Sequence, residues 1–571
     1  MNTISNEEKL KKLLAEPDTI DFVVRSSPIL EASLIQRPDV AKGAVLTGAY
    51  SIIFASPKGF ESIKESLRAT YIEIAPAVLG TLNQSSLEAA GISQVQKQPF
   101  LDLRGQGVII GFVDTGIDYT LPIFRRKDNT SKIRYIYDQT GEGLPPEGFP
   151  IGIEYTNEQI NTALASENPY EIVPETDNIT GHGTFLASVA AGSEVDGFTS
   201  AAPDADIIMV KLRRARPYYL ERNSIPEDQP NAFESSSVML GVEYILKKSQ
   251  QANCPVVICI GLGTNQLGHD GFSIFEEYLS SVASINGVCL CVAGGNESQA
   301  RHHMQGTVQS TGETASIDIK VNQEGGDIIV AIWNNAANRL SVSVRSPLGG
   351  FVARLPAKPN ESQLTELILE HARVQIEYYF PVETTGSQAT IVKVANATEG
   401  IWMITVYGDI ILDGKFNAWL PITGFCPPGI EFIAPNPYTT ITVPGTIPAG
   451  ICIGAYNSAG NSLYAESSWG PSLMYILPDF VAPGVRVSGY FPTGPAVMSG
   501  TSIATAITAG ASALMMQWGI VEGNDQNLSS YQIRAYMIRG ANRIENLPYP
   551  NNQWGYGSLN LLKAFQYMRE L

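Results

Sequence analysis

Short apolar runs punctuate the chain from Gly107 onward. Val108-Ile109-Ile110-Gly111-Phe112-Val113, Ile207-Ile208-Met209-Val210, Val256-Val257-Ile258-Cys259-Ile260 and Val288-Cys289-Leu290-Cys291-Val292 show no polar alternation. Continuous runs of this length suit strands that are buried on both faces, as in a parallel sheet covered by helices. Helical patterns near Phe185 to Ala191, Ser236 to Ser249 and Phe272 to Ser284 fall between them. The alternation predicts an α/β fold with a doubly wound, mostly parallel sheet.

The pattern changes at two places. Residues 1–84 read as a small α/β unit, with strands at Asp21-Phe22-Val23-Val24 and Ser51-Ile52-Ile53-Phe54-Ala55, a turn at Pro57-Lys58-Gly59 and a helix from about Phe60 to Thr70. Residues 305–440 switch to period-2 strands such as Ala315-Ser316-Ile317-Asp318-Ile319-Lys320-Val321, which predicts an inserted antiparallel β-sandwich, jelly-roll-like in outline. The α/β pattern resumes near Thr440 and leads to a long helix beginning around Ser502. Val487 to Val521 holds no charged residue and is long enough for a membrane helix. Ser488, Gly489, Pro492, Gly494, Pro495 and Ser499 interrupt it, so a buried helix is expected and no membrane span.

Composition narrows the partners. The chain is 44% hydrophobic and 16% charged, which suits a large globular protein with much of its length buried. Acidic residues outnumber basic ones 56 to 38, and the longest basic cluster is Arg125-Arg126-Lys127. Nucleic acid is therefore excluded as a partner, because phosphate binding needs a concentrated basic face. Cys254, Cys259, Cys289, Cys291, Cys426 and Cys452 have neither zinc-ligand spacing nor a disulfide framework. The His302-His303 pair has only Glu297 close by, so no metal site and no cofactor are expected. The segment after Met1 lacks the apolar core of a secretory signal, and no export by that route is expected.

Three short motifs carry the chemistry. Val113-Asp114-Thr115-Gly116 ends the first apolar strand, Gly181-His182-Gly183-Thr184 opens a helix, and Gly500-Thr501-Ser502-Ile503-Ala504 opens another. Each alone is an ordinary turn or helix start. Together they supply a hydroxyl nucleophile, an imidazole base and a carboxylate that fixes the base's tautomer, all at the ends of elements in a doubly wound sheet.

On these residues, in the chain order Asp, His, Ser, the sequence resembles the subtilisin-like serine proteases. The resemblance covers residues 85–571 apart from the β-rich insertion, and it implies a serine endopeptidase with Asp114, His182 and Ser502 as catalytic residues. Val292-Ala293-Gly294-Gly295-Asn296-Glu297 is similar to the family's oxyanion motif, which gives Asn296 the role of amide donor, with the Ser502 N–H as a second donor. Gly261-Leu262-Gly263 resembles the strand that holds an extended substrate, and Val481-Ala482-Pro483-Gly484 the segment before the serine.

Within that family, Gly181 to Ser188, Pro435-Asn436-Pro437-Tyr438-Thr439-Thr440 and the insertion resemble the clostridial Csp germination proteases. That resemblance implies a protein substrate, the zymogen of a spore-cortex hydrolase, and a spore-associated or cytoplasmic location. It also implies that residues 1–84 are a prodomain, removed by self-processing between Gln84 and Ser85. The competing reading is a regulatory protein that keeps the fold without activity, and the retained triad counts against it.

Overall fold

The computed structural model of the chain describes residues 5–16, 18–25, 37–48, 50–64, 78–81, 87–99, 101–177, 180–471 and 475–568. Its centre is a nine-stranded mixed sheet. Four of its strands carry the argument: β1 (Ile109–Asp114), β2 (Asp206–Lys211), β3 (Val256–Ile260) and β4 (Val288–Ala293). They run parallel in the order β2-β1-β3-β4, so the chain winds outward in both directions from β1. Antiparallel strands Ile153–Thr156 and Ser462–Leu463 lie toward the two edges.

Side-chain alternation assigns the two faces. Ile109 and Val113 of β1 point into one core with Val256, Ile258 and Ile260, while Ile110 and Phe112 point into another with Val257 and Cys259. Both faces are buried under helices, which is why these strands carry no polar alternation. Helices α1 (His182–Ala191) and α4 (Thr501–Met516) cover the second face, and α2 (Ser235–Gln251) and α3 (Ile274–Ala283) the first. Every residue of α4 is buried.

The charge-free stretch is only partly helical. Residues 485–499 form a two-stranded antiparallel hairpin, and the helix begins at Thr501. Gly489, Gly494 and Pro495 suit a hairpin and disfavour helix, which is the physical reason the single-helix expectation fails there. The apolar helical segment Thr501–Val521 is long enough to cross a bilayer, yet 89% of its most apolar window is buried within the protein. It is the core helix of the sheet.

The residues between β4 and the return to the central sheet form two antiparallel sheets, one of six strands and one of five, spanning His303 to Phe432. Val330, Ile332, Val374 and Val392 of the first and Ile317, Val342, Ile404 and Val406 of the second share one apolar core. The alternation seen in the sequence follows from this: one side of each strand faces that core.

Upstream, strands Ile20–Arg25, Tyr50–Ala55 and Val40–Leu46 make a three-stranded antiparallel sheet in that order. The helix there runs Pro57–Lys64, so Pro57-Lys58-Gly59, expected as a turn, form its first turn, as suits a proline at a helix start, and the expected stretch from 65 to 70 lies outside the described residues. This unit docks on the central domain through Asp21, which pairs with Arg216 and accepts from the Ser236 hydroxyl. All six cysteines are free, five of them buried.

Candidate active site

Three elements converge at the C-terminal ends of the parallel strands. Asp114 is the last residue of β1, His182 the first of α1 and Ser502 the second of α4. His182 Nδ1 lies 2.7 Å from Asp114 Oδ1, and His182 Nε2 lies 3.3 Å from Ser502 Oγ. With Nδ1–H donated to the carboxylate, Nε2 is the acceptor for the serine hydroxyl. All three side chains are buried.

The local sequence explains the convergence. A β-carbon on Gly183 would sit 2.3 Å from the Gly116 carbonyl oxygen, so only glycine lets the start of α1 lie against the loop after β1. Asp177 then ties the two together. Its Oδ1 accepts from the Thr115 hydroxyl and Gly181 N–H, and its Oδ2 from Thr184 N–H and hydroxyl. Burial raises its pKa, while the bonds from Thr184 and Thr115 act in the opposite direction. An acid this close to the N-terminus of α1 is an N-terminal cap set back in the loop. Sequence reading missed Asp177, although an Asp four residues before Gly181 ahead of an apolar helix is a usable signal.

Asn296 sits on the loop after β4. Its Oδ1 accepts from Thr501 N–H at 3.1 Å and from the Thr501 hydroxyl at 3.2 Å. Both bonds occupy the oxygen and tie Asn296 to the residue before Ser502 at the positive end of α4, and the Nδ2 amide is the group left to donate. Thr501 was another residue the sequence gave no reason to single out.

Two short edges flank the triad, at Leu262–Gly263 and Phe233–Glu234. Strand Val78–Thr81 of the same chain lies between them as the middle of a three-stranded antiparallel sheet, with Thr81 opposite Leu262, Gly80 opposite Gly263 and Leu79 opposite Phe233. The Gly261-Leu262-Gly263 segment is therefore at the site, while the Phe233–Glu234 edge was not foreseen. Beside it lies a cavity of ≈ 450 Å³ lined by Thr115, Asp177, Lys211, Arg214 and Phe233, among others. Gln84 and Ser85 lie outside the described residues. Among the described residues no group of His, Cys, Asp and Glu side chains could hold a metal.

This geometry is suited to acyl transfer. The imidazole can take a proton from the Ser502 hydroxyl as Oγ attacks a carbonyl carbon, a step that N–H donors nearby would assist by receiving the oxyanion. An extended peptide held on the two edges would bring its carbonyl to that point.

Comparison with known proteins agrees. The subtilase family model matches residues 105–354 and 433–557. The chain is similar in structure to the CspB protease of Clostridium perfringens, with a TM-score of 0.75 and 29% identity over 85% of this chain and 99% of that one. Two Arabidopsis thaliana relatives, the subtilisin-like proteases SBT2.4 and SBT2.3, are 33% identical over 110 residues and 35% over 108. These two matches span 16% and 17% of this chain and only 13% and 12% of the relatives. With more than half of its length matched by that family model, the chain belongs to the subtilase family of serine proteases.

Proposed function

We propose that the chain is a serine endopeptidase in which Ser502 is the nucleophile, His182 the general base and then acid, Asp114 the group that orients it, and Asn296 an oxyanion donor. The observation that carries this is the pair of His182 contacts, 2.7 Å to Asp114 and 3.3 Å to Ser502, at the end of a substrate-binding edge. Attack by Oγ forms a tetrahedral intermediate, His182 protonates the departing amine, and water then cleaves the acyl-serine ester by the same steps in reverse. A serine-directed phosphonate should label Ser502 in wild type. Labelling at full rate in His182→Ala overturns the assignment.

Residues 1–84 act as a prodomain, cut by the enzyme's own site near Gln84-Ser85, and the inserted sheets act as a compact β-sandwich beside the site. The placement of strand 78–81 between the two edges supports the first reading, and the single shared core of the two sheets supports the second. By its likeness to the CspB protease, the substrate is the zymogen of a spore-cortex hydrolase, in a spore-associated or cytoplasmic setting. Incubation with such a zymogen should give one discrete cut that Ser502→Ala does not make.

A further inference from the structure

The residue after the oxyanion donor is a buried acid that the chemistry above does not use. Glu297 is 3% exposed, and its carboxylate gathers contacts from three separate segments. Oε1 accepts from the Thr423 N–H at 3.0 Å, and Oε2 lies 2.9 Å from His302 Nδ1. Asn265 Nδ2 is 3.4 Å from Oε2 and donates also to the Leu420 carbonyl at 3.1 Å.

The places of these partners matter. His302 immediately precedes the first strand of the insertion, His303–Thr307, and Leu420 and Thr423 follow the strand Lys415–Trp419 that pairs with it. Asn265 lies two residues beyond the substrate edge Leu262–Gly263. One carboxylate thus joins the residue leading into the insertion, the loop after the strand that pairs with its first strand, and the chain just past the substrate edge, next to the side chain that faces the oxyanion. Glu297 N–H is fixed in turn to the Ser468 hydroxyl at 2.9 Å, so both the backbone and the side chain of this position are held.

We propose that Glu297 is a positioning residue for Asn296, and that the inserted β unit bears on catalysis through the Glu297–His302 contact. Oxyanion donors are effective because they are fixed before charge develops, so a donor whose loop is loosened loses transition-state stabilisation while substrate binding persists. The proposal rests on the reading of Asn296 as oxyanion donor and of Ser502 as nucleophile.

Glu297→Gln and His302→Gln keep size and one hydrogen-bonding group while removing the ion pair. Each is made in wild type and in Asn296→Ala, in the full chain, with folding checked by near-ultraviolet circular dichroism. Hydrolysis of a chromogenic peptide is measured alongside inhibition by a peptide aldehyde, whose adduct mimics the oxyanion. In the wild-type background we expect Glu297→Gln to lower kcat about 10-fold, short of the roughly 10²-fold or more for losing the donor outright, with KM within about twofold. Aldehyde affinity should fall in parallel. In Asn296→Ala the same change should add less than about twofold, since residues that act through one another are not additive.

Equal losses in both backgrounds would mean that Glu297 acts on the fold alone, and unchanged kcat in the folded variants would mean that it does not act at all. Either result overturns the proposal, as does failure of both variants to fold. Failure of the underlying reading is seen separately, as absence of phosphonate labelling at Ser502 in wild type.

Discussion

Gly261 stands so close to Ser502 that a β-carbon on it would lie 3.0 Å from Ser502 Cβ, 3.3 Å from His182 Cε1 and 2.8 Å from Leu186 Cδ1. The edge strand passes the nucleophile at glycine distance. Gly261→Ala should therefore displace the serine–imidazole pair by a few tenths of an ångström. Since misplacement near 1 Å can cost about 10²-fold, a fall in kcat of about 10-fold is expected, with the thermal midpoint little changed. Steady-state hydrolysis of a peptide ester measures it, and unchanged kcat means that the contact is absorbed elsewhere.

Asn296→Ala removes the amide that the Thr501 bonds orient. The expected result is a loss of about 10² to 10³ in kcat with KM nearly constant. Thr501→Val removes one of those two bonds and leaves the backbone one, so its loss should be smaller. A large rise in KM in either variant points to substrate binding instead.

The register of strand 78–81 bears on self-processing. Thr81 lies opposite Leu262, one residue from Gly261, which approaches Ser502, and on the proposed prodomain reading a cut a few residues after Thr81 is expected. N-terminal sequencing of purified wild type should give a start within residues 83–85, either Ser85 as the sequence suggests or Asn83 two residues earlier. Ser502→Ala should stay intact. A wild-type protein that cleaves other substrates while remaining full length overturns the prodomain reading.

Glu276 and Glu234 each contribute stability that is lost as pH rises through the weakly acidic range, whereas His269 and His303, held near pKa 4, act in the opposite direction. Burial raises Glu276 from 4.5 to about 7, with Asp270 adding to it, and burial with the nearby Asp21 raises Glu234 to about 7 as well. At these two carboxyls the folded chain binds protons that the unfolded chain has released between pH 4.5 and 7, and their contribution to stability declines across that window. Replacing Glu276 by Gln removes its share, at most roughly 3 kcal/mol between pH 4.5 and 8. The thermal midpoint of Glu276→Gln relative to wild type should rise as pH goes from 4.5 to 8; a constant difference refutes its role.

The insertion should resist limited proteolysis. Trp419 stacks on His269 at 4.3 Å with rings 2° from parallel and contacts His303 at 5.0 Å, so the insertion is fastened to the central domain by aromatic packing as well as by Glu297. Burial keeps both histidines near pKa 4, so this packing is neutral over the working range. Cutting concentrated between 310 and 430, with the rest spared, is the contrary outcome.

How much could be read from the chain beforehand follows from how local each signal is. β1 to β4 were legible because a strand buried on both faces needs an unbroken apolar run, and α4 because its start carries a motif. The hairpin at 485–499 was not legible as such, since its partner strand and its covering by α1 are set by tertiary contacts. In the site, Asp114, His182, Ser502 and Asn296 sit in short glycine-rich motifs. Thr501, Glu297 and the Phe233–Glu234 edge act through contacts with distant segments that no spacing in the sequence records, whereas Asp177 left a short-range signal, an acid four residues before Gly181.

Strand 78–81 and the edge it occupies belong to one polypeptide, so their encounter is governed by an effective concentration and not by how much protein is present. For short flexible tethers that value is on the order of millimolar, about a thousandfold above an outside peptide supplied at micromolar levels. The first peptide the cleft meets is its own. Dilution separates the two kinds of substrate: the half-life of an internal cut is unchanged on diluting the protein a hundredfold, whereas cleavage of a second polypeptide slows in proportion.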